Sequence, residues 1–100
     1  MNNLYLTNQD LEIVRTILHH HIPDVAVAAF GSRVTGKAGK WSDLDILLLT
    51  DSPLPLVKLG DLREAFSESD LPIMVDVVDS SRIDPEFKEL ALLDSIIISI

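Results

Sequence analysis

Three short apolar runs set the frame of this chain: VAVAAF at 25–30, DLDILLL at 43–49 and IMVDVVD at 73–79. Each is of strand length and bounded by turn-forming or polar residues, and the first carries β-branched valines. Stretches of helical periodicity lie around them. In TNQDLEIVRTILHHHIP, Leu11, Val14 and Leu18 share one helical face with Ile17 beside them. Thr7 is placed to cap this helix, with Asp10 three residues on in the manner of a capping box, and Pro23 bounds its end. LVKLGDLREAFSE reads as a second helix weakened at Gly60, and DPEFKELALLDS as a third with Pro85 in its first turn. GSRVTGKAGK is a loop with room for one helical turn after Gly31, and TDSPLP breaks the second strand. The terminal IIISI reads either as a frayed helix end or as a short edge strand. The order helix, strand, strand, helix, strand, helix predicts an α+β fold, a small mixed β-sheet flanked by helices, in one domain spanning 1–100.

Composition removes several classes of function. A net charge of -8 argues against gripping nucleic acid through its phosphates, so no direct nucleic-acid binding is expected. There is no cysteine, which excludes disulfides and thiolate metal sites. The start MNNLYLTNQD has neither the basic opening nor the apolar core of a signal peptide, and no apolar run approaches a membrane span. The expectation is a soluble, cytoplasmic domain without a membrane partner.

Charge is unevenly distributed within this acidic chain. From 25 to 42 there is no acidic residue, and the stretch holds Arg33, Lys37 and Lys40, three of the eight lysines and arginines. Directly after it come Asp43 and Asp45. Strand side chains alternate faces, so these two carboxylates point the same way with Leu47 and Leu49, while Leu44, Ile46 and Leu48 point the other. Their Cα atoms would stand about 6.6 to 6.8 Å apart, close enough to converge on one cation, or on two about 3.5 to 4 Å apart. Oxygen ligands of this kind suit a hard divalent ion, and Mg²⁺ commonly keeps waters and takes phosphate oxygens as its other ligands. Gly31 allows close backbone approach and Ser32 offers an amide and a hydroxyl, so a helical turn here would form an anion site near the carboxylates. Phosphate on one side, carboxylates on the other and metal between make a layout for phosphoryl or nucleotidyl transfer. A third carboxylate, Asp76, lies mid-strand between Val75 and Val77, where burial is costly without a partner or a metal. If its strand pairs with that of Asp45, Asp76 faces it; Asp79, of opposite parity, points away.

Gly31-Ser32, ten residues, then Asp43-Leu44-Asp45 resembles the signature of the nucleotidyltransferase superfamily related to DNA polymerase β. With FGSR entering the motif and a third aspartate on a later strand, the chain is similar to the minimal nucleotidyltransferases (MNT), often paired with a HEPN-domain partner as toxin and antitoxin. The motifs carry the resemblance from about 25 to 79. It implies a polymerase β-like fold, two Mg²⁺ ions held by Asp43, Asp45 and Asp76, and a nucleoside triphosphate, usually ATP, gripped by Gly31 and Ser32. Arg33 and Lys37 are candidate phosphate contacts. It further implies attack of an acceptor hydroxyl on the α-phosphorus with loss of pyrophosphate, Asp76 helping to activate that hydroxyl, and AMP transfer to the HEPN toxin as the antitoxin activity. Larger transferases of the superfamily grip the acceptor with a second domain. Here that role falls to a partner chain or to a dimer mate, and Ile96 to Ile98 with Ile100 are candidates for such a contact.

Other readings stand beside these. Catalysis could be vestigial, with the fold neutralising its partner by occlusion, or the acceptor could be a small molecule such as an antibiotic. Arg33, Lys37 and Lys40 could be a solvated loop. Trp41 reads as packing beside its strand. His19, His20 and His21 diverge around a helix and suit its C-terminal dipole better than a metal. Asp51, Asp61, Glu64 and Glu68 read as a solvated acidic surface.

Overall fold

Thr7 starts the first helix as its spacing predicts. The Thr7 hydroxyl accepts the Asp10 amide at 3.1 Å. Among the described residues the Asp10 carboxylate makes no return bond, because aspartate is one methylene shorter than the glutamate that closes a full capping box. The computed structural model describes residues 4–100. Its elements are α1 (Asn8–His21), β1 (Ala26–Phe30), α2 (Ser32–Thr35), β2 (Leu44–Leu49), α3 (Leu56–Ser67), β3 (Val75–Asp79), α4 (Pro85–Leu93) and β4 (Ile96–Ile98), with a 3-10 turn at Ser80–Arg82 before α4.

The strands form one mixed sheet in the order β3-β2-β1-β4. β1 runs antiparallel to both β2 and β4, and β2 is parallel to β3. One face carries Val27, Ala29, Leu44, Ile46, Leu48, Val77 and Ile98, which join Leu11, Val14 and Leu18 of α1 and Leu59, Leu62 and Phe66 of α3 in a single core. On the other face Ala28 and Leu47 are also fully buried; α4 packs against β1 on this side, Phe87 meeting Phe30, and its Ala91 is buried. Asp84 caps α4 by accepting the Glu86 amide at 2.9 Å, with Pro85 in the first turn. Among the described residues no helix is long and apolar enough to cross a membrane.

IIISI resolves as the edge strand β4. Ile96 and Ile98 turn toward the core, so of the four terminal isoleucines only Ile97 and Ile100 are exposed. The candidate contact surface at this terminus is correspondingly smaller than the run of isoleucines suggests. Gly60 sits in α3 with open space where a Cβ would stand. Gly60→Ala is therefore expected to stabilise the fold by about 0.5–1 kcal/mol, by restricting the unfolded chain. Urea denaturation would read this as a raised midpoint with an unchanged slope.

Asp79 is a second test of the fold. It ends β3 on the core-facing side and is only 3% exposed. It accepts hydrogen bonds from the Thr50 hydroxyl at 2.5 Å, the Leu54 amide at 2.8 Å and the Ser81 amide at 3.0 Å, and lies 3.7 Å from Arg82 Nε. One carboxylate thus ties the chain leaving β2 to the turn leaving β3. Burial pushes its pKa up, but the bonds from Thr50, Leu54 and Ser81 and the Arg82 charge outweigh burial and hold it below 3.8. A depressed folded value contributes stability above the unfolded value, lost as pH falls through the folded one. Asp79→Asn should cost about 1–3 kcal/mol at neutral pH and flatten the stability curve below pH 3.8. Thermal melts of both proteins from neutral to strongly acid pH would check this; parallel curves would refute it.

Candidate active site

Register brings two of the three candidate carboxylates side by side. In the parallel β2–β3 pair, Asp45 lies opposite Asp76. On the other side of β2, Phe30 of β1 lies opposite Asp45. All three share the sheet face turned away from the main core, as alternation requires. Asp43 precedes β2 by one residue and has the same parity as Asp45. Asp43 and Asp76 are exposed and Asp45 is partly buried. Asp76 therefore avoids the burial penalty that its valine neighbours suggest, because the sheet face is open at this end.

The charges of Asp43 and Asp76 bear on Asp45. Asp45 is raised above its ordinary pKa, first by burial, then by the charges of Asp76 and Asp43. Among the described residues the ion pairs are Arg15–Glu12 and Arg82–Asp79, and neither reaches this cluster. The site thus carries negative charge that no ion pair balances among the described residues. Also among the described residues, no three acidic, histidine or cysteine side chains are drawn together as a ready metal cage. The donor set fits a hard ion whose shell is completed by water and phosphate oxygens, rather than one enclosed by protein alone.

Gly31 makes the join between loop and carboxylates. Its φ of 79° and ψ of -155° lie in a region reserved almost wholly for glycine. A Cβ at this position would overlap Asp45 Oδ2. The backbone here runs against the carboxylate because no side chain intervenes. The turn α2 follows at once, closed by bonds from the Val34 and Thr35 amides to the Gly31 carbonyl, and stopped by Gly36 at φ 84°. No side chain caps its start, and the Ser32 and Arg33 amides have no main-chain acceptor among the described residues.

Arg33 has a different placement from the phosphate contact expected of it. Its guanidinium donates to the carbonyls of Tyr5 at 2.9 Å, Lys40 at 3.0 Å and Ser42 at 3.0 Å. It acts as a clasp that fastens the 36–42 loop to the segment before α1. The Tyr5 amide returns a bond to the Arg33 carbonyl at 2.7 Å, and the Tyr5 ring lies against Gly36. Lys37 is exposed and takes no part in an ion pair among the described residues. Trp41 corrects its expectation of packing. It is 66% exposed, with the Lys40 ammonium 4.9 Å from its ring centre. It lies outside β2, where the sheet no longer covers it. His19, His20 and His21 occupy the last turn of α1, and the rings of His20 and His21 meet edge to face.

Sequence reasoning missed Phe30 as the neighbour across from Asp45, since pairing partners cannot be read from one strand. It also missed Asp79 as a structural anchor, although Asp79-Ser80-Ser81 is a turn signature in which an aspartate bonds the amide two residues on.

The mixed sheet thus presents paired aspartates beside a glycine-bounded turn. Residues 11–99 match the family described as nucleotidyltransferase domain, and the chain belongs to that family. The Haemophilus influenzae protein named probable protein adenylyltransferase MntA is 47% identical over 87 residues, covering 87% of this chain and 76% of that protein. A chain in a crystal structure of a toxin-antitoxin with AMP-PNP superposes with a TM-score of 0.75 at 22% identity, over 89% of this chain and 72% of its own. A chain from the tri-AMPylated Shewanella oneidensis HEPN toxin in complex with MNT antitoxin gives 0.68 at 19%, over 94% and 72%. The last two likenesses are of fold.

Proposed function

We propose that this chain is an antitoxin that transfers AMP from ATP to a hydroxyl of a HEPN-type toxin partner. The observation that carries this reading is the pairing of Asp45 with Asp76, set against the backbone of Gly31 at an uncapped turn. Its relatives supply the direction: the Haemophilus protein is named for protein adenylylation, and the Shewanella toxin bound to an MNT antitoxin carries AMP. Residues 1–100 act as one catalytic domain, in the cytoplasm where ATP is at hand.

Asp43, Asp45 and Asp76 would hold divalent cations, two Mg²⁺ in this reading, which supply charge neutralisation on the phosphates and on the attacking oxygen. The free amides of Ser32 and Arg33 and the Ser32 hydroxyl hold the phosphate oxygens, and Gly31 permits their approach. Lys37 adds charge to that side. Arg33 contributes by holding the loop in shape. Asp76, exposed at the edge of the site, accepts the proton of the acceptor hydroxyl. The oxygen then bonds to the α-phosphorus, the bond from that phosphorus to the β-phosphate bridge breaks, and pyrophosphate leaves.

The test is label transfer. The purified chain is mixed with its HEPN-domain partner, Mg²⁺ and each α-labelled nucleoside triphosphate. Label from ATP on the partner is expected with the wild type and not with Asp43→Asn, Asp45→Asn. A stable complex without transfer would instead make the chain an antitoxin that acts by occlusion.

A further inference from the structure

Helix α4 is oriented against the usual rule. An amphipathic helix on a sheet turns its large apolar side chains inward, yet α4 buries Ala91, leaves Phe87 47% exposed and turns Leu90 and Leu93 outward, 67% and 75% exposed. Spaced three apart, these residues form one stripe. Leu90, Leu92 and Leu93, with Glu86 and Glu89, line an open concavity of about 860 Å³. Ile97 of β4, on the same sheet face, is 59% exposed. An apolar surface of this kind on a small domain marks an interaction site.

The stripe leads to the candidate active site. The Phe87 ring meets Phe30 edge to face at 6.3 Å, and Phe30 is the residue across from Asp45. We propose that the outer side of α4, Phe87, Leu90 and Leu93 rimmed by Glu86 and Glu89, is the surface that docks the acceptor protein, and that the acceptor meets it with an apolar ridge flanked by lysine or arginine. This rests on the reading of the chain as a protein nucleotidyltransferase. A partner seated here lies beside the carboxylates, so docking places its hydroxyl at Asp76. The occupant is a basic-flanked partner rather than a second copy, because two copies would oppose their glutamates within chains of net charge -8.

The experiment measures affinity for the purified HEPN-domain partner, alongside the labelling assay. Leu90→Asp with Leu93→Asp should weaken binding by about 100-fold and reduce labelling in proportion at subsaturating partner, with ATP binding and circular dichroism unchanged. Glu86→Lys with Glu89→Lys leaves the apolar stripe intact and should slow association and remove its salt dependence. Wild-type affinity in both variants would overturn the proposal, and labelling by the wild type would leave the enzymatic reading standing. Loss of binding in the variants, where even the wild type transfers no label, would uphold the surface and overturn the transfer. Light scattering that showed self-association abolished by the leucine changes, with partner affinity unaltered, would assign the stripe to a second copy and overturn the proposal.

Discussion

Replacing Asp45 by asparagine is expected to end nucleotidyl transfer while making the unliganded protein more stable. The loss in rate should be of order 10³-fold or more, since several kcal/mol of charge stabilisation would go with the lost ligand. The gain in stability follows from the raised pKa of Asp45, set by its burial and then by Asp76 and Asp43. A carboxyl whose folded pKa lies above its unfolded value stabilises the fold only while protonated, and that contribution is lost as pH rises through the folded value. At neutral pH the ionised Asp45 is a burden that asparagine removes. Two measurements check the pair: single-turnover labelling for the rate, and melting temperature with and without Mg²⁺. The wild type should gain melting temperature on adding Mg²⁺ through binding linkage, and the variant should gain little. A variant that melts below the wild type in the absence of metal would refute the electrostatic account.

Gly31→Ala is expected to damage both stability and activity, from one methyl group. The backbone region costs a non-glycine residue about 1–3 kcal/mol. Beyond that, the new Cβ overlaps Asp45 Oδ2, so the carboxylate must turn away or the strand must shift. Displacements of this size at a reacting centre cost about 100-fold in rate. A control separates the two effects. Gly36 is also at positive φ, but a Cβ there meets the Tyr5 ring at 3.1 Å, outside the carboxylate cluster. Gly36→Ala should therefore lose stability and retain most of its rate once folded. Equal rate loss in both variants would mean that the collision with Asp45 is not what matters.

The parts of this site legible in sequence are those governed by parity. Alternation alone places Asp45 and Asp43 on one face and separates Asp76 from Asp79, because a strand has only two sides. Long-range geometry is a different matter. Arg33 in a glycine-rich, basic loop reads as a phosphate ligand; the carbonyls it binds, on Tyr5, Lys40 and Ser42, come together only when that loop folds against the segment before α1. Trp41 reads as packing because large aromatic side chains usually find cover, but it stands in the loop before β2 begins at Leu44 and is exposed. The periodicity of α4 is plain in sequence, but which side meets the sheet is not: the structure buries small Ala91 and sets Phe87 against Phe30 of β1. The terminal isoleucines settle as a strand because β1 has a free edge for them to pair with.

Strand β3 carries two aspartates with opposed needs. Asp79 requires the closed side of the sheet, where Thr50, Leu54 and Ser81 await it, and Asp76 requires the open side beside Asp45. A slip of one residue in the pairing with β2 would exchange their sides, stranding one charge among leucines and the other in water. The buried aspartate therefore serves as a proofreader for the exposed one. A misaligned strand forfeits the hydrogen bonds of its anchor, so the register that presents Asp76 is also the more stable one.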